Sequence, residues 1–598
     1  METGRTNQGA NAMREGGETG ADGGRLDSSL VSSRIGFEDQ ARSAERLELE
    51  RVVQPGIGFP SPSVQTQLMI VRLNLATPGP SGRGAAEQVR HGLRRLCDLF
   101  ARIDRGEKRI LVLDDKTGRP EPAHLREKFS FSATIGFGEG FFDLLAIPAA
   151  RRPKRLTAMP DHLSLGDTTP YSLAQTDLII QLGSSSGFVN RWVFENKLQA
   201  PEPVDAAGAT AGAAEVVSAA KEEQAEDIVS ATAGWATIAD VHLGFQRTDG
   251  RNLQGFNDGV SNPRALSPMF DQVVWSIDET YPALNRGSYM VFQKIVHDLD
   301  QWRELDVDEQ QEWVGRSKGT GLLLGTLDDK EDAEVAAGLQ AGDAAAFRKW
   351  KRLFALESHP EMPFYAPELL PKKTKDLPED LRALDFTIDE VRAICTRTAL
   401  RVPAWAHVRK VNPRRADETA QRTIFRRGYP FVDRGLDNKI ISGLLFISFQ
   451  SDIQATFEFI KKNWAGNPNF PVGTHRSGDS EGGRRPFNER EHTLRRQSGR
   501  LTVSELKGLG GAERKVLGLE DQDDYTKALE DAADPRRQQT GREGLAGPSE
   551  HGVTPTGEFL AIVPLGGGYY FVPPIPNRNI EEIGQQFFTD QSHIPGKT

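Results

Sequence analysis

The chain has 598 residues, more than one ordinary domain of about 100–200 residues, so we expect at least two domains. Its formal net charge of -10 argues against nucleic acid as a partner, and its two cysteines exclude a zinc framework or a disulfide scaffold and favour a reducing cytoplasm. The first residues have no apolar core and no stretch of about 18 apolar residues occurs, so we expect neither a secretory signal nor a membrane anchor.

The first part of the chain predicts a disordered arm followed by a sheet and helices. Residues 1–54 are rich in Gly, Glu, Arg and Ser, which is typical of disorder, and order is expected to begin near Gln65. The segments QTQLMIVRLNL, FSFSATIGFG and TDLIIQLGSS predict strands. The segment AAEQVRHGLRRLCDLFARI has apolar residues at helical spacing and predicts a core-facing helix. Residues 200–233 are rich in Ala and Glu and predict a solvated helical insertion or linker.

The second part of the chain resembles the first. The segments GSYMVFQKIVHDL and GLLFISFQSD predict strands, and the latter leads into the helix candidate IQATFEFIKKNW, as TDLIIQLGSS leads into GFVNRWVFENKL. We therefore predict an α+β fold of two similar halves, at 55–240 and 241–598, each a sheet backed by helices. A coincidence of two ordinary strand–helix units is the alternative.

Two segments of the second half read as insertions rather than as parts of the sheet. Residues 326–385 and 475–555 are charged and lack strand alternation, so they predict surface helices and loops. The segment GGGYYFVPP predicts a final strand that closes the second sheet.

Three short segments contain residues that could carry chemistry. In GFNDGVSNP, Asp258 lies close to Gly255 and Gly259, which permit positive φ and close backbone approach, so this loop could hold a carboxylate against a flat ligand. An ordinary surface turn is the alternative. In TIFRRGYPF, either Arg426 or Arg427 could point into a pocket and stabilise developing negative charge. A solvated arginine pair is the alternative there.

The segment AWAHVRKVNPRR places a histidine in an apolar setting beside several cations. His407 is followed by Arg409 and Arg414, an arrangement that suits a flat, apolar cofactor edged with carboxylates. Haem fits that description, and a proximal histidine is one of its standard axial ligands. A hydrogen-bonded core histidine is the alternative.

Together with GSYMVFQKIVHDLDQW and GGGYYFVPP, these segments resemble the dye-decolorizing peroxidases. The family's GxxDG motif is matched by Gly255, Asp258 and Gly259, its proximal histidine context by HVRKVNPR from His407, and its distal arginine context by IFRRGY at Arg426. The resemblance also includes the GLLF strand and the first-half segments TIGFG and DLIIQLGSS. These motifs are separate and occur in the expected order.

The resemblance implies two ferredoxin-like halves with facing antiparallel sheets, of the dimeric α+β barrel type, and one haem b per chain bound mainly by the second half. It implies that His407 is the iron ligand, that Asp258 is the acid–base residue and that Arg426 stabilises charge as the peroxide bond breaks. The implied partners are hydrogen peroxide and a bulky aromatic or dye-like electron donor, with no nucleic acid and no membrane, and the chain could form a homo-oligomer.

Further residues follow from the same resemblance. The cofactor-binding set then comprises His407, Arg409, Arg414, Gly255, Gly259, Leu445 and Phe446. The last two would wall the distal pocket, or serve only as core packing. Glu558 is a guess for the acidic partner of the histidine. Tyr429 and Trp464 are candidates for surface aromatics that carry electrons, and the alternative for both, that they are only packing residues, is favoured. The alternative functions are haem storage or iron release with little peroxidase turnover, and a non-enzymatic scaffold that keeps the fold.

Overall fold

The computed structural model describes the following parts of the chain: residues 49, 51–58, 64–76, 82–107, 109–113, 120–125, 129–160, 173–195, 216–218, 227–257, 262–263, 267–359, 362–403, 406–414, 419, 421–434, 439–465 and 562–588. The predictions for Asp258, Gly259, Glu558 and the insertion at 475–555 lie outside these residues.

Eight strands form the main sheet. They are β1 (Gln67–Leu75), β2 (Ser132–Phe137), β3 (Leu178–Ser184), β4 (Ala236–Phe245), β5 (Ser288–His297), β6 (Tyr429–Arg434), β7 (Ile440–Gln450) and β8 (Ile562–Val572). A two-residue strand, Phe425–Arg426, adds to β7, and a separate small sheet contains Arg109–Leu113, Pro120–His124 and Val216–Ser218.

The helices lie mostly between these strands. They are Gly82–Asp104, Glu139–Leu144, Gly187–Phe194, Ile228–Thr232, Pro268–Val274, Leu299–Glu304, Val307–Val314, Asp329–Ala341, Ala344–Ser358, Glu379–Ala383, Ile388–Arg401 and His407–Lys410. Two π-helical turns, Gln454–Glu458 and Ile460–Ala465, follow β7 and are called the π-helical segment below. None of the helices in the described ranges is long and apolar enough to cross a membrane.

The strand order repeats between the two halves. The sheet runs β6-β7-β5-β8-β2-β3-β1-β4, and every pairing is antiparallel. Within each half the second strand lies at one edge, followed by the third, the first and the fourth. This is the order of a ferredoxin-like βαββαβ unit, so the predicted α+β fold with two ferredoxin-like halves is confirmed.

The halves meet along both edges of their sheets. At one junction β8 pairs with β2 through Phe571 and Phe137. At the other, β4 lies against β6, and the Gln246 side chain donates to the Gly428 carbonyl at 3.0 Å. Gly244 is needed there, because a Cβ at this position would lie 2.8 Å from the Cβ of Tyr429. The sheet therefore curves into a barrel whose two halves face each other.

Alternation along the strands separates the barrel interior from its outer surface. The interior core draws on both halves and includes Leu68, Ile70, Ile179, Met290, Phe292, Leu445, Ile447, Phe449, Tyr570 and Val572. The outer faces carry Met69, Val71, Ile180, Val291, Tyr569 and Phe571, which pack in one core with helical residues such as Leu96 and Trp192. Strands such as β1, β3 and β5 are thus buried on both faces, whereas β4 and the end of β6 carry exposed residues.

Residues 322–406 contribute a third core, formed by helices inserted between β5 and β6. Asp343 caps the helix Ala344–Ser358 by accepting hydrogen bonds from the amides of Ala345 and Ala346, and Gly342 ends the preceding helix at φ +79°. Helices occupy most of the described residues between 326 and 385, as predicted. Their packing around Trp350 and Phe354 was not predicted, because the charged residues concealed the apolar spacing.

Two predicted limits need correction. Val53 and Gln54 were assigned to the disordered arm but are buried, and the Gln54 amide donates to the carbonyls of Ile135 at 3.1 Å and Pro573 at 2.9 Å. A domain limit at residue 240 would cut β4, which pairs along its length with β1. The rest of the proposed division into halves stays a prediction.

Candidate functional site

The loop that leads to Asp258 is attached to a second loop at 318–321. The Arg251 guanidinium donates to the Gly255 carbonyl at 2.7 Å and to the Gly319 carbonyl at 3.2 Å. Gly255 has φ +90°, a conformation that favours glycine, so the predicted need for glycine at this position is met. The Arg251 side chain thus fixes the backbone at Gly255 against the second loop.

Asn262, four positions after Asp258 in the sequence, is bound to the strand of Arg426. The Asn262 side chain donates to the Arg426 carbonyl at 2.8 Å and accepts a hydrogen bond from the Arg426 amide at 3.1 Å. Sequence reasoning brought these two motifs together only through the family resemblance, and it gave Asn262 no role beyond an Asn-Pro turn. The signal available in the sequence was that Asn262 is a polar side chain only four positions after Asp258.

The two adjacent arginines lie on different sides of the sheet. Arg426 pairs with Ser448 on β7, so both side chains share the outer face of the sheet. Arg427 is only 2% exposed and lies beside Tyr429, and its burial lowers the pKa of its guanidinium despite the opposing influence of Tyr429. Of the two, Arg426 is the one on the outer face.

Leu445 and Phe446 cannot wall the same pocket, because consecutive strand residues point to opposite faces. Leu445 is fully buried in the barrel interior with Ile447. Phe446 lies on the outer face, where its ring is 5.8 Å from that of Phe457 in the π-helical segment. Phe446 therefore shares the outer face of the sheet with Arg426, whereas Leu445 faces the barrel interior; a distal-pocket role stays a prediction.

His407 begins a short helix, His407–Lys410, and its side chain is exposed. The neighbouring residues Ala406, Arg409 and Lys410 are buried. Gly315 lies against this helix: a Cβ there would be 2.4 Å from a Val408 methyl carbon. The buried neighbours fix the helix and leave the imidazole at the surface, where it can bind a ligand.

Arg409 and Arg414 are bound to protein groups. Arg409 donates to the carbonyls of Ala399 at 3.0 Å and Val402 at 2.6 Å, and its burial lowers its pKa to about 10. Arg414 donates to the Glu357 carbonyl at 2.5 Å and is also buried. Both arginines therefore attach the His407 segment to the helical core, and their role at the edge of a cofactor stays a prediction.

The π-helical segment contacts several of these elements. Ile460–Ala465 contacts the helix of His407, and Phe457 contacts Phe446. The Arg422 guanidinium, just before Arg426, lies 3.8 Å from the centre of the Phe459 ring. The helix of His407, Phe446 and Arg422 thus all contact the π-helical segment.

The barrel interior holds a polar network that sequence reasoning missed. Arg72 binds Asp240 through two hydrogen bonds of 2.8 Å, and His242 lies 2.9 Å from the same carboxylate. Lys294 binds Asp433 at 2.8 Å and lies 3.5 Å from His242. These charges join strands of the two halves and face away from Arg426. No periodicity in the sequence marks them, because each is a single polar residue in a mostly apolar strand.

This network shifts the pKa values of its members. Burial alone would raise the pKa of Asp240, but hydrogen bonds from His242 and Arg72 outweigh it and lower the pKa to about 2. Burial lowers the pKa of His242 despite the opposing effect of Asp240. His297 is buried on β5, and this burial lowers its pKa to about 4. Both histidines are therefore neutral at pH 7.

Tyr429 and Trp464 are not surface aromatics. Tyr429 is fully buried and its hydroxyl donates to the Gln65 carbonyl at 3.0 Å. Trp464 is 4% exposed and packs edge-on against Phe459 at 5.5 Å between ring centres. The packing role that was the alternative for both residues is what the structure shows.

The residues on the outer face fit a haem group in three respects. The exposed His407 could serve as an axial ligand of the iron, and Phe446 offers an apolar surface. Arg426 offers a positive charge on the same face of the sheet as Phe446. Within the described ranges no three His, Cys, Asp or Glu side chains come close enough to hold a metal ion by themselves. One axial histidine requires no such cluster.

Comparisons with known proteins give the same family for both halves. The model described as Dyp-type peroxidase, N-terminal, matches residues 63–200, and Dyp-type peroxidase, C-terminal, matches residues 249–470. A dye-decolorizing peroxidase from Thermobifida fusca is 27% identical over 315 residues, which cover 50% of this chain and 63% of the relative. One from Rhodococcus erythropolis is 35% identical over 96 residues, 16% of this chain and 27% of the relative. The matches thus span less than two thirds of these relatives.

Other similar proteins include a deferrochelatase from Yersinia pestis, 27% identical over 220 residues, 36% of this chain and 37% of the relative. Among solved structures, a DyP-type peroxidase from Streptomyces coelicolor aligns with a TM-score of 0.46 and 17% identity, over 92% of this chain and 97% of the other. Because both family models match, in the order of the two ferredoxin-like halves, this chain belongs to the Dyp-type peroxidase family.

Proposed function

We propose that this chain is a haem peroxidase that reduces hydrogen peroxide and oxidises bulky aromatic or dye-like donors in one-electron steps. The observation that carries the proposal is the pair of hydrogen bonds between Asn262 and Arg426. It ties the loop of the proposed acid–base residue, Asp258, to the proposed charge-stabilising residue, on the face of the sheet that also carries Phe446. Family membership supports the same assignment.

In this proposal His407 holds one haem b per chain through its imidazole. Bound haem would supply the redox chemistry, which no side chain of the protein provides. The residues around it bind and orient peroxide. Phe446 gives the pocket an apolar wall that excludes water from the outer face of β7.

Asp258 acts as a general base and then as a general acid. Its carboxylate takes the proton from one oxygen of hydrogen peroxide and delivers it to the other, which leaves as water. Arg426 stabilises the negative charge that develops on the leaving oxygen. Arg427 does not take this role because it is buried beside Tyr429, with its pKa lowered mainly by that burial.

The partners remain parts of the same proposal. Hydrogen peroxide is the oxidant, and an aromatic donor returns the electrons. Tyr429 and Trp464 are both buried, so a donor that stays at the surface needs another route for its electrons. A homo-oligomer and a cytoplasmic location stay predictions from the sequence.

Relatives named deferrochelatase favour one alternative, iron release from haem with little peroxidase turnover. The deciding experiment is an absorbance spectrum of the purified full-length protein supplied with haem, recorded before and after one equivalent of peroxide. We expect a Soret band that changes rapidly on mixing, with oxidation of an added dye. A stable Soret band that barely responds to peroxide would contradict the peroxidase proposal, and its absence would favour a scaffold.

A further inference from the structure

Asn262 binds both backbone groups of Arg426. Its Nδ2 donates to the Arg426 carbonyl at 2.8 Å, and its Oδ1 accepts from the Arg426 amide at 3.1 Å, although the residues are 164 positions apart. The side-chain amide thus acts as donor and acceptor at once, as a neighbouring strand would.

Arg426 depends on this pairing because its own strand is short. The strand Phe425–Arg426 has two residues, and β7 pairs with it at Ser448 and Phe449. With so short a ladder, side-chain hydrogen bonds supply much of what fixes the backbone. On the other side, Pro263 is buried and restricts the chain that leaves Asn262. Asn262 is therefore held where it can position the arginine.

We propose that Asn262 is a positioning residue that fixes the backbone of Arg426 and thereby orients its guanidinium, an inference that rests on the function proposed above. Asn262 need not touch peroxide. It acts through the arginine backbone, so its removal should change the reaction with peroxide only as long as Arg426 is present.

The test compares Asn262→Ala with a matched control. Asn190, which is more deeply buried than the half-buried Asn262, also donates to a strand carbonyl, that of Gln67 at 3.2 Å, but it lies in the first half on the helix Gly187–Phe194. We expect N262A to keep its haem absorbance and to react with peroxide about tenfold to a hundredfold more slowly, because misplacement by about 1 Å can cost about 10²-fold. N190A should react like the wild type.

A double-mutant cycle separates positioning from general destabilisation. In the Arg426→Leu background, N262A should have no further effect on the rate with peroxide. Independent, multiplicative effects of the two substitutions would overturn the proposal, because they would show that Asn262 acts without the arginine.

Hydrogen–deuterium exchange gives a readout that needs no haem. In protein purified without added haem, the Arg426 amide should exchange faster in N262A than in the wild type or N190A. Unchanged exchange would overturn the proposed pairing. Should the wild type fail to react with peroxide, the proposed function would fall, and the exchange rate would still decide whether Asn262 holds Arg426.

Discussion

The adjacent residues Arg426 and Arg427 allow a sharp test of which face of the sheet carries the chemistry. Arg426 shares the outer face with Ser448, whereas Arg427 is 2% exposed beside Tyr429. In Arg426→Leu we expect haem to be retained and the second-order rate with peroxide to fall about 10²–10³-fold. Loss of one preorganised charge stabiliser costs about 3–4 kcal/mol, which corresponds to that factor.

Arg427→Leu is the matched control, because it makes the same chemical change one residue away. It removes a buried guanidinium rather than a group near peroxide. We therefore expect a rate close to the wild type, with a change of about 1–3 kcal/mol in the free energy of unfolding, the range for disturbing a buried polar contact. The sign of that change depends on how well Leu fills the space beside Tyr429.

The assay is stopped-flow absorbance after mixing each variant with excess peroxide, with haem content measured on the same samples. Urea unfolding of each variant gives the free energy of unfolding. A large rate defect in Arg427→Leu with a mild one in Arg426→Leu would place the chemistry on the inner face. Two small effects would mean that neither arginine stabilises the developing charge.

Three further predictions concern the ligand, the base and the interior network. His407→Ala should lose most haem, whereas His297→Ala should keep its Soret band; the reverse pattern would reassign the ligand. Asp258→Asn should keep haem yet lose most of its rate of reaction with peroxide. The wild-type rate should stay fast near pH ~5, since aspartate ordinarily titrates near ~3.9. A decline of that rate centred near pH ~6.5 would indicate a histidine base. Asp240 has a folded-state pKa of about 2, below its ordinary 3.8, so its stabilisation is complete above 3.8 and is lost as pH falls through 2. Asp240→Asn should therefore lower the free energy of unfolding by up to about 2 kcal/mol at neutral pH and make it less sensitive to acid. Urea midpoints measured from pH 2 to 6 would show this, and an unchanged acid dependence would contradict it.

The duplicated fold could be predicted because each strand or helix shows its own periodicity within one continuous stretch of sequence. QTQLMIVRLNL and GLLFISFQSD alternate little, and the structure buries both faces of β1 and β7, as such continuous apolar strands require. The burial of Gln54 could not be predicted, because one polar side chain bound to two distant carbonyls has no local pattern.

The candidate site was predictable in part. The family resemblance selected Arg426 over Arg427, and strand pairing places Arg426 on the same face of the sheet as Phe446. Strand alternation alone separates Leu445 from Phe446, since neighbouring residues on a strand point to opposite faces of the sheet. Arg409 and Arg414 looked like partners for a cofactor because they are charged. Their carbonyl acceptors lie in the inserted helical region, and no sequence rule connects that region to the histidine segment.

The barrel closure has a consequence for how the chain can be divided. A half expressed alone would expose two unpaired strand edges, β2 and β4 in the first or β6 and β8 in the second, which in the whole chain lie against each other. Exposed edges invite pairing with other chains. Separating the halves would also expose to solvent Arg72 in the first half and Lys294 in the second, which lie in the barrel interior of the whole chain. Each half thus pairs the strand edges and buries the interior charges of the other. Co-expressed halves should therefore be recovered together more readily than either half alone.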